Sequence, residues 1–309
     1  MKRPDWADFS PEVADALAQG APLVAMESSV WAQGLPRPLN LEVARETAAG
    51  VREAGAVPAI VVVREGKIRY GLDEAELEAL CDARQVIKVG TGDLPRALAK
   101  GQLGATTVSA TLLAAERVGI PVMATGGLGG VHLNWNSRLD ISADMGQLAR
   151  TRCLTVCSGV KSVLDVPATL EMLETLAIPL ALFGTDNFPH FYSAGAPSEI
   201  GFRIDTPEEA AEAHRYSLST LERGLLVTQP CPAEQALPAD VLSKWVRDGI
   251  LRAEAEGQTG KGLTPFLLDF LARASGGKTL EANRALLVSY AVLAARIAHA
   301  LVLMDARRG

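Results

Sequence analysis

Short apolar runs alternate with amphipathic stretches along the first two thirds of the chain. This alternation predicts a layered α/β fold whose sheet is covered by helices on both faces. The apolar runs predict strands at 22–26, 56–63, 85–89, 121–124, 154–158 and 179–183. The amphipathic stretches predict helices at 40–53, 73–83, 94–100, 106–118 and 145–151.

Local signals refine both ends of this pattern. Ser10-Pro11-Glu12 offers an N-cap, a proline and an acidic first turn, which predicts a helix over 11–19. The stretch 67–70 is a candidate hairpin partner of the strand at 56–63. No linker or repeat interrupts the chain, so we expect a single domain over 1–309 with a mainly helical C-terminal part. In that part we expect helices at 207–223, 239–256, 264–275 and 280–304, and a strand at 225–229.

Composition and charge exclude several function classes. The net charge of −6 is spread along the chain and no basic face with interleaved aromatics occurs, which argues against a nucleic-acid partner. No signal-like or membrane-spanning stretch is evident, so we expect a cytoplasmic protein without a membrane partner. The four cysteines form no close C-x-x-C pair and are expected to be packed thiols.

Lys161 follows the predicted strand at 154–158. A poorly hydrated amine at such a place favours the neutral form, which can attack a carbonyl and form a Schiff base. The alternative is a lysine that reaches solvent or pairs with Asp165. Both interpretations are open for this residue taken alone.

Residues 124–132 contain four glycines in five positions directly after a strand. Such a loop lets backbone N–H groups approach an anionic ligand, although a tight crossover would also need glycine. Downstream, Asp140 and Asp144 are four residues apart and would share one helix face. Their carboxylates suit a hard divalent cation such as Mg²⁺ or Mn²⁺, whereas a helix cap at Asp140 or Ser142 is the alternative.

Polar residues also end other predicted strands. Glu27 closes the first strand and could act as a general acid, and Lys88 and Thr125 end two others. Each charged residue alone is compatible with a surface position. Together with Lys161 they favour one shared cleft, because open α/β sheets place ligands at the carboxyl ends of their strands.

Six segments in this order resemble the pseudouridine-5′-phosphate glycosidase family. The resemblance covers about 10–301. The segments are Glu27-Ser28-Ser29 with Gly34-Leu35-Pro36, Gly104-Ala105-Thr106-Thr107-Val108, the glycine-rich 124–132, Asp140-Ile141-Ser142-Ala143-Asp144, Gly159-Val160-Lys161-Ser162-Val163-Leu164-Asp165 and Thr264-Pro265-Phe266-Leu267-Leu268.

The resemblance implies a three-layer α/β/α subunit, a homotrimer and a divalent cation, usually Mn²⁺. It implies an enzyme that reversibly splits the C–C bond between uracil and ribose 5-phosphate. Lys161 would form the Schiff base with C1 of the opened ribose, Glu27 would protonate the ring oxygen, and Asp140 would bind the metal. Substrate-binding positions would be Lys88, Val108, Thr125, His132, Ser142, Ala143, Asp144 and Asn283.

The chain also departs from the family pattern. Thr91 and Gly92 stand where the family usually has two arginines, and Leu133-Asn134-Trp135-Asn136 replaces Arg-Gly-Ala-Glu. Gln229 replaces an Asn, and Ser289-Tyr290 replaces an Asn-Asn pair. A pocket that loses charge and gains Leu and Trp should favour an aromatic aglycone.

Three functions are therefore compatible with the sequence. The altered residues favour C-ribosylation of an aromatic natural product in antibiotic biosynthesis, as in the alnumycin C-glycosynthase that resembles this family. The alternative is a pseudouridine-5′-phosphate glycosidase that releases uracil and ribose 5-phosphate. A ligand-binding homologue without catalysis is a third possibility, although it would have no chemical need for an activated amine.

Overall fold

The computed structural model describes residues 4–133, 135, 139–258 and 262–307. The strands are β1 (Ala7–Phe9), β2 (Leu23–Glu27), β3 (Val57–Arg64), β4 (Lys67–Tyr70), β5 (Ile87–Val89), β6 (Gly104–Thr106), β7 (Val122–Ala124), β8 (Leu154–Cys157), β9 (Leu180–Phe183), β10 (Asn187–His190), β11 (Ser193–Pro197), β12 (Phe202–Ile204) and β13 (Leu226–Thr228). The α-helices are α1 (Pro11–Gln19), α2 (Leu39–Glu53), α3 (Glu74–Asp82), α4 (Leu94–Ala99), α5 (Val108–Val118), α6 (Ala143–Leu148), α7 (Val166–Thr175), α8 (Pro207–Leu221), α9 (Ala239–Ala255), α10 (Leu263–Ala274) and α11 (Lys278–Ala306).

A mixed sheet of eleven strands forms the centre of the fold. Its main path runs β1-β4-β3-β2-β7-β8-β13-β9-β12, and only the β3–β4 pair on this path is antiparallel. Off the path, β6 pairs antiparallel with β3 and parallel with β5. The three-layer α/β/α expectation with a largely parallel or mixed sheet is confirmed.

The helix starts follow the expected capping chemistry. The Ser10 hydroxyl accepts the Val13 N–H at 3.3 Å, which begins α1 at Pro11. Asp73 and Glu76 form a reciprocal capping box at α3. These side chains satisfy amide donors that have no partner inside the helix.

Helix α11 is the central helix of one layer. It packs against α2, α8 and the strands β2, β7 and β8, while α5 packs on β2 and β7 from the other face. By length and composition α11 could cross a membrane, contrary to the expectation that no such stretch exists. Because 56% of its most apolar window is buried inside the protein, α11 fits the description of a core helix.

Several elements were not predicted from the sequence. They include the three-residue strands β1, β6 and β12, the β10–β11 hairpin, helix α7 and a π-helical turn at Val30–Gly34. The strand β6 occupies part of the expected helix at 106–118, so α5 starts two residues later at Val108. The sequences of β1, β6 and β12 contain no compact apolar run of the kind that predicted the other strands.

Candidate active site

Three predicted residues meet at one edge of the sheet. The strands β2, β7 and β8 are parallel neighbours. Glu27 is the last residue of β2, Thr125 follows β7, and Lys161 lies four residues beyond the end of β8. Parallel strands therefore bring the acid and the amine to the same carboxyl edge, as the sequence predicted.

Two hydroxyl groups hold the Glu27 carboxylate. Thr125 Oγ1 donates a short hydrogen bond to Oε1, and Ser29 Oγ donates to Oε2 at 2.6 Å. Glu27 is only 6% exposed, so these two bonds largely fix its orientation. Thr125 thus contacts Glu27, and its predicted contact with substrate stays a prediction.

A cavity of about 440 Å³ opens above this edge. A narrower cavity of about 60 Å³ adjoins it and shares Glu27, Ser29, Lys88, Lys161 and Thr264 with it. Every predicted site residue except Thr125 lines one of the two. The larger cavity contains Val108, His132, Asp140, Ser142, Ala143 and Asp144, and the narrower one contains Asn283.

Lys161 faces these cavities and does not depend on Asp165 for a partner. The Asp165 carboxylate instead caps α7 by accepting the Ala168 N–H at 3.0 Å. The backbone of Lys161 is fixed by its N–H bond to the Leu128 carbonyl at 3.2 Å. The amine therefore projects from an anchored turn into space that a substrate could occupy.

The pKa of the His132 imidazole depends on charged groups that lie close to it. Burial lowers the pKa of its imidazole, the Asp140 charge opposes that shift, and the charges of Lys161 and Lys88 lower the pKa further. The imidazole is therefore neutral at neutral pH and can both donate and accept a hydrogen bond.

Lys88 lies on a strand whose direction differs from the expected one. It lies within β5, which is parallel to β6 and therefore runs opposite to β3 and β2. The argument from parallel strand ends thus does not apply to Lys88, although the residue lines both cavities. The N-terminus of α5, with Val108, faces the larger cavity from the same side.

Backbone N–H groups of the glycine-rich loop at 124–132 donate hydrogen bonds to the protein itself. The N–H groups of Leu128, Gly129, Val131 and His132 all bond to protein oxygens. A Cβ on Gly129 would lie 2.4 Å from the Ser142 hydroxyl. The close approach of Ser142 to the backbone therefore explains why residue 129 is a glycine. The four bonded N–H groups are not available to an anion.

Asp140 and Asp144 have different roles because α6 begins only at Ala143. The Asp144 carboxylate accepts the Ser109 N–H at 3.0 Å and the Gly129 N–H at 2.9 Å, which ties α5 to the glycine-rich loop. Ser142 caps α6 by accepting the Asp144 N–H at 3.2 Å, as the capping alternative predicted. Asp140 lies outside the helix, so the two carboxylates do not share a helix face.

The fit to a divalent cation rests on Asp140. Among residues 4–133, 135, 139–258 and 262–307, no three His, Cys, Asp or Glu side chains form a metal-binding group. A Mg²⁺-like cation keeps several waters and needs only one or two carboxylates with substrate oxygens. The half-buried Asp140, which lines the cavity, is compatible with such a loosely held ion.

Some residues that depart from the family pattern line the larger cavity, and others lie away from it. Thr91 and Gly92 line the larger cavity, so the two missing arginines would have stood there. Leu133 instead lines a separate cavity of about 340 Å³ beyond Leu164, and Trp135 lines neither cavity at Lys161. Asn134 and Asn136 lie outside the described residues. The expected apolar gain at the aglycone is therefore not seen at Leu133 or Trp135.

Gln229 and Tyr290 are also set back from both cavities. Gln229 Oε1 is buried and has no hydrogen-bond partner within the described chain, and the Tyr290 hydroxyl is buried beside Ser158. Burial raises the pKa of the Tyr290 hydroxyl above its usual range. These two replacements change the layer behind the site and do not contribute to its lining.

The sequence reasoning missed three contributors. Ser29 orients Glu27, Thr264 lies where the two cavities join, and Phe191 lines the narrower one. Ser29 and Thr264 stand in segments that carried the family resemblance, so their motifs held a usable signal. Phe191 follows the β10 strand at a positive φ of 58°, and no sequence pattern marks it.

The chain is similar to known proteins along nearly its whole length. A family model described as indigoidine synthase A-like protein matches residues 12–300. A pseudouridine-5′-phosphate glycosidase from Methylobacterium nodulans is 47% identical over 295 residues, which cover 95% of this chain and 88% of the relative. Another from Streptomyces griseus is 47% identical over 301 residues, which cover 97% and 93%.

Two solved structures share the fold along nearly the whole chain. The prealnumycin C-glycosynthase AlnA, in complex with ribulose 5-phosphate, is 35% identical with a TM-score of 0.91, covering 99% of this chain and all of AlnA. An indigoidine synthase A-like protein from Thermotoga maritima is 38% identical with a TM-score of 0.86, covering 98% and 99% of the two chains.

Proposed function

The chain belongs to the indigoidine synthase A-like family, which includes pseudouridine-5′-phosphate glycosidases, and we propose that it cleaves and forms the C–C bond between uracil and ribose 5-phosphate. The observation that carries this proposal is the meeting of Lys161 and the clamped Glu27 in one cavity. The 47% identity to glycosidases over nearly the full chain supports this activity ahead of the aromatic C-ribosylation that the sequence departures favoured.

The residues fit the demands of the reaction. A C–C glycosidic bond has no good leaving group, so the sugar must open and become linked to an amine whose lone pair can form an iminium as the bond breaks. Glu27 would donate a proton to the ring oxygen, and the Lys161 amine would form a C–N bond to C1 as the C1–O bond of the ring breaks. As the C–C bond breaks, its electron pair would stay on the uracil carbon, which takes up a proton, while the nitrogen lone pair forms the iminium at C1. Water would then hydrolyse this iminium to ribose 5-phosphate and the free Lys161 amine.

The remaining residues would bind and orient the substrate. Lys88, Ser142 and the N-terminus of α5 at Val108 offer a cation and polar donors to the phosphate. The neutral His132 and the buried Asn283 would bind the sugar or the base by hydrogen bonds. Asp140 would hold a divalent cation, which we expect to be Mn²⁺, and when bound that ion would supply positive charge beside the phosphorylated sugar.

The proposal includes the surroundings of the reaction. We propose a cytoplasmic homotrimer, following the family resemblance. Its product would be ribose 5-phosphate in the cleavage direction, and physiological direction would depend on the supply of free base.

Borohydride trapping tests the covalent step. The purified chain is incubated with ribose 5-phosphate and Mn²⁺, reduced with borohydride and examined by peptide mass spectrometry. We expect a reduced sugar adduct on Lys161 that is absent from Lys161→Ala and retained in the surface control Lys100→Ala. An adduct that survives in Lys161→Ala would refute the Schiff base at this residue.

A second candidate is the synthetic C-ribosylation of an aromatic acceptor. The TM-score of 0.91 with AlnA and the missing arginines at Thr91 and Gly92 favour it. Offering uracil and an electron-rich aromatic in parallel, with ribose 5-phosphate, distinguishes the two candidates. Product with uracil alone supports the glycosidase, and product with the aromatic alone would replace it by the synthase.

A further inference from the structure

A second polar cavity lies on the other side of the loop that carries Thr91. It has a volume of about 650 Å³ and lies between α5 and the segment that follows α6. Thr91 lines both this cavity and the larger substrate cavity, so one short loop separates them. We call it the arginine cavity, after Arg117, Arg150 and Arg152, which line it.

The charge of the arginine cavity is strongly positive. Its lining contains three arginines and one acidic residue, Glu116. Arg117 lies in the last turn of α5, and Arg150 Nε bonds to the Gly146 carbonyl at 2.9 Å. Basic residues at helix C-termini stabilise the helix dipole, which explains two of the arginines without a ligand.

Two neutral side chains in the same lining have no such explanation. Gln147 is 5% exposed, and within the described residues no hydrogen bond joins its side-chain amide to another group. The Thr91 hydroxyl is buried and likewise has no partner there. Buried polar groups are usually hydrogen-bonded, so the Thr91 hydroxyl indicates a ligand that supplies the missing partner, and the Gln147 amide lies in the same lining.

We propose that the arginine cavity binds a small phosphorylated anion, with the three guanidinium groups holding the phosphate and Gln147 and Thr91 adding neutral donors. Guanidinium groups match phosphate oxygens with paired hydrogen bonds. The volume exceeds that of inorganic phosphate, so a phosphate ester also fits. This site does not depend on the proposed function, because none of its charged residues faces Lys161.

Binding in the arginine cavity has a consequence for the neighbouring site. A ligand bonded to the Thr91 hydroxyl would hold the loop of Gly90 to Asp93, which lines the substrate cavity. Residues Thr91–Asp93 already form a hydrogen-bonded 3-10 turn, so that ligand would add one contact to an ordered segment.

Isothermal titration calorimetry of the full chain with inorganic phosphate, at constant ionic strength, tests the proposal. Lys88→Gln removes a cation from the substrate cavity, and Arg117→Gln with Arg150→Gln removes two from the arginine cavity. We expect phosphate binding that survives Lys88→Gln and weakens by about tenfold or more when the two arginine changes are added. Arg96→Gln with Arg296→Gln, which removes the same charge elsewhere, should change affinity by less than about twofold.

Three results would overturn the proposal. They are loss of all phosphate binding in Lys88→Gln alone, equal weakening by the control pair, or a change of oligomeric mass in light scattering when Arg117 and Arg150 are replaced. The last would mean that the cavity is a subunit contact. The source of the ligand follows from repeating the titration with ribose 5-phosphate in a variant that combines Lys88→Gln with Lys161→Ala. Tighter binding than phosphate assigns a sugar phosphate, and equal binding assigns free phosphate.

Discussion

A substitution at Asp144 distinguishes a role in stability from the predicted role in substrate binding. Its carboxylate is 5% exposed and accepts the N–H groups of Ser109 and Gly129 at 3.0 and 2.9 Å. In Asp144→Ala both amides would lose their acceptor inside the protein. Hydrogen bonds to a charged group contribute about 1.5–3 kcal/mol each, so we expect a loss of about 3–6 kcal/mol in the free energy of unfolding.

The assay is urea unfolding followed by circular dichroism, with the midpoint and slope compared between variants. Asp140→Ala is the matched control, because Asp140 lines the same cavity outside the helix. We expect the control to lose less than about 1 kcal/mol. Asp144→Asn should lie between the two, since an amide oxygen can still accept one of the two N–H groups.

One result would refute the structural role of Asp144. If Asp144→Ala unfolded at the same urea concentration as the wild type while its KM for the phosphorylated substrate rose, the carboxylate would act on the substrate and the two backbone bonds would contribute little. A loss of stability with an unchanged slope supports the anchoring role.

Three further predictions concern other parts of the molecule. Thr125→Val removes one donor from Glu27 and should lower kcat about 10–100-fold with little change in KM, in steady-state assays. Burial, with a smaller effect of the Arg152 charge, lowers the pKa of His214 from 6.5 to about 4, so the unfolded chain gains a proton first as pH falls. Wild-type stability should drop by up to about 3 kcal/mol between pH 6.5 and 4, and His214→Gln should flatten that slope in urea titrations. Gly159→Ala places a Cβ 2.2 Å from a carbonyl oxygen and should cost clearly more stability than Gly119→Ala, which has the same left-handed φ in open space.

The layered fold was accessible from the sequence because its long elements carry complete signals. Ser10 and Pro11 predicted the start of α1, and the apolar run at 56–63 predicted β3, with 67–70 as the candidate hairpin partner that forms β4. Helix α7 was missed although Asp165 and Pro167 mark its start. Asp165 had been considered only as a partner of Lys161, so its capping signal was not used.

The candidate site was predictable where parallel strands end side by side. Glu27 and Lys161 follow that rule, whereas Lys88 lies on a strand of opposite direction and joined the site only through its motif. The Asp144 bonds and the Phe191 wall depend on packing between distant segments. No local pattern encodes such contacts, so only the structure shows them.

The position of Asn283 on α11 has a consequence for synthesis on the ribosome. Strands β2, β7 and β8 leave the ribosome well before α11, which covers them and carries Asn283 into the narrower cavity. The nascent chain must therefore hold an apolar sheet face without its covering helix for more than a hundred residues of translation. We expect that interval to be the period in which the growing chain most needs a chaperone.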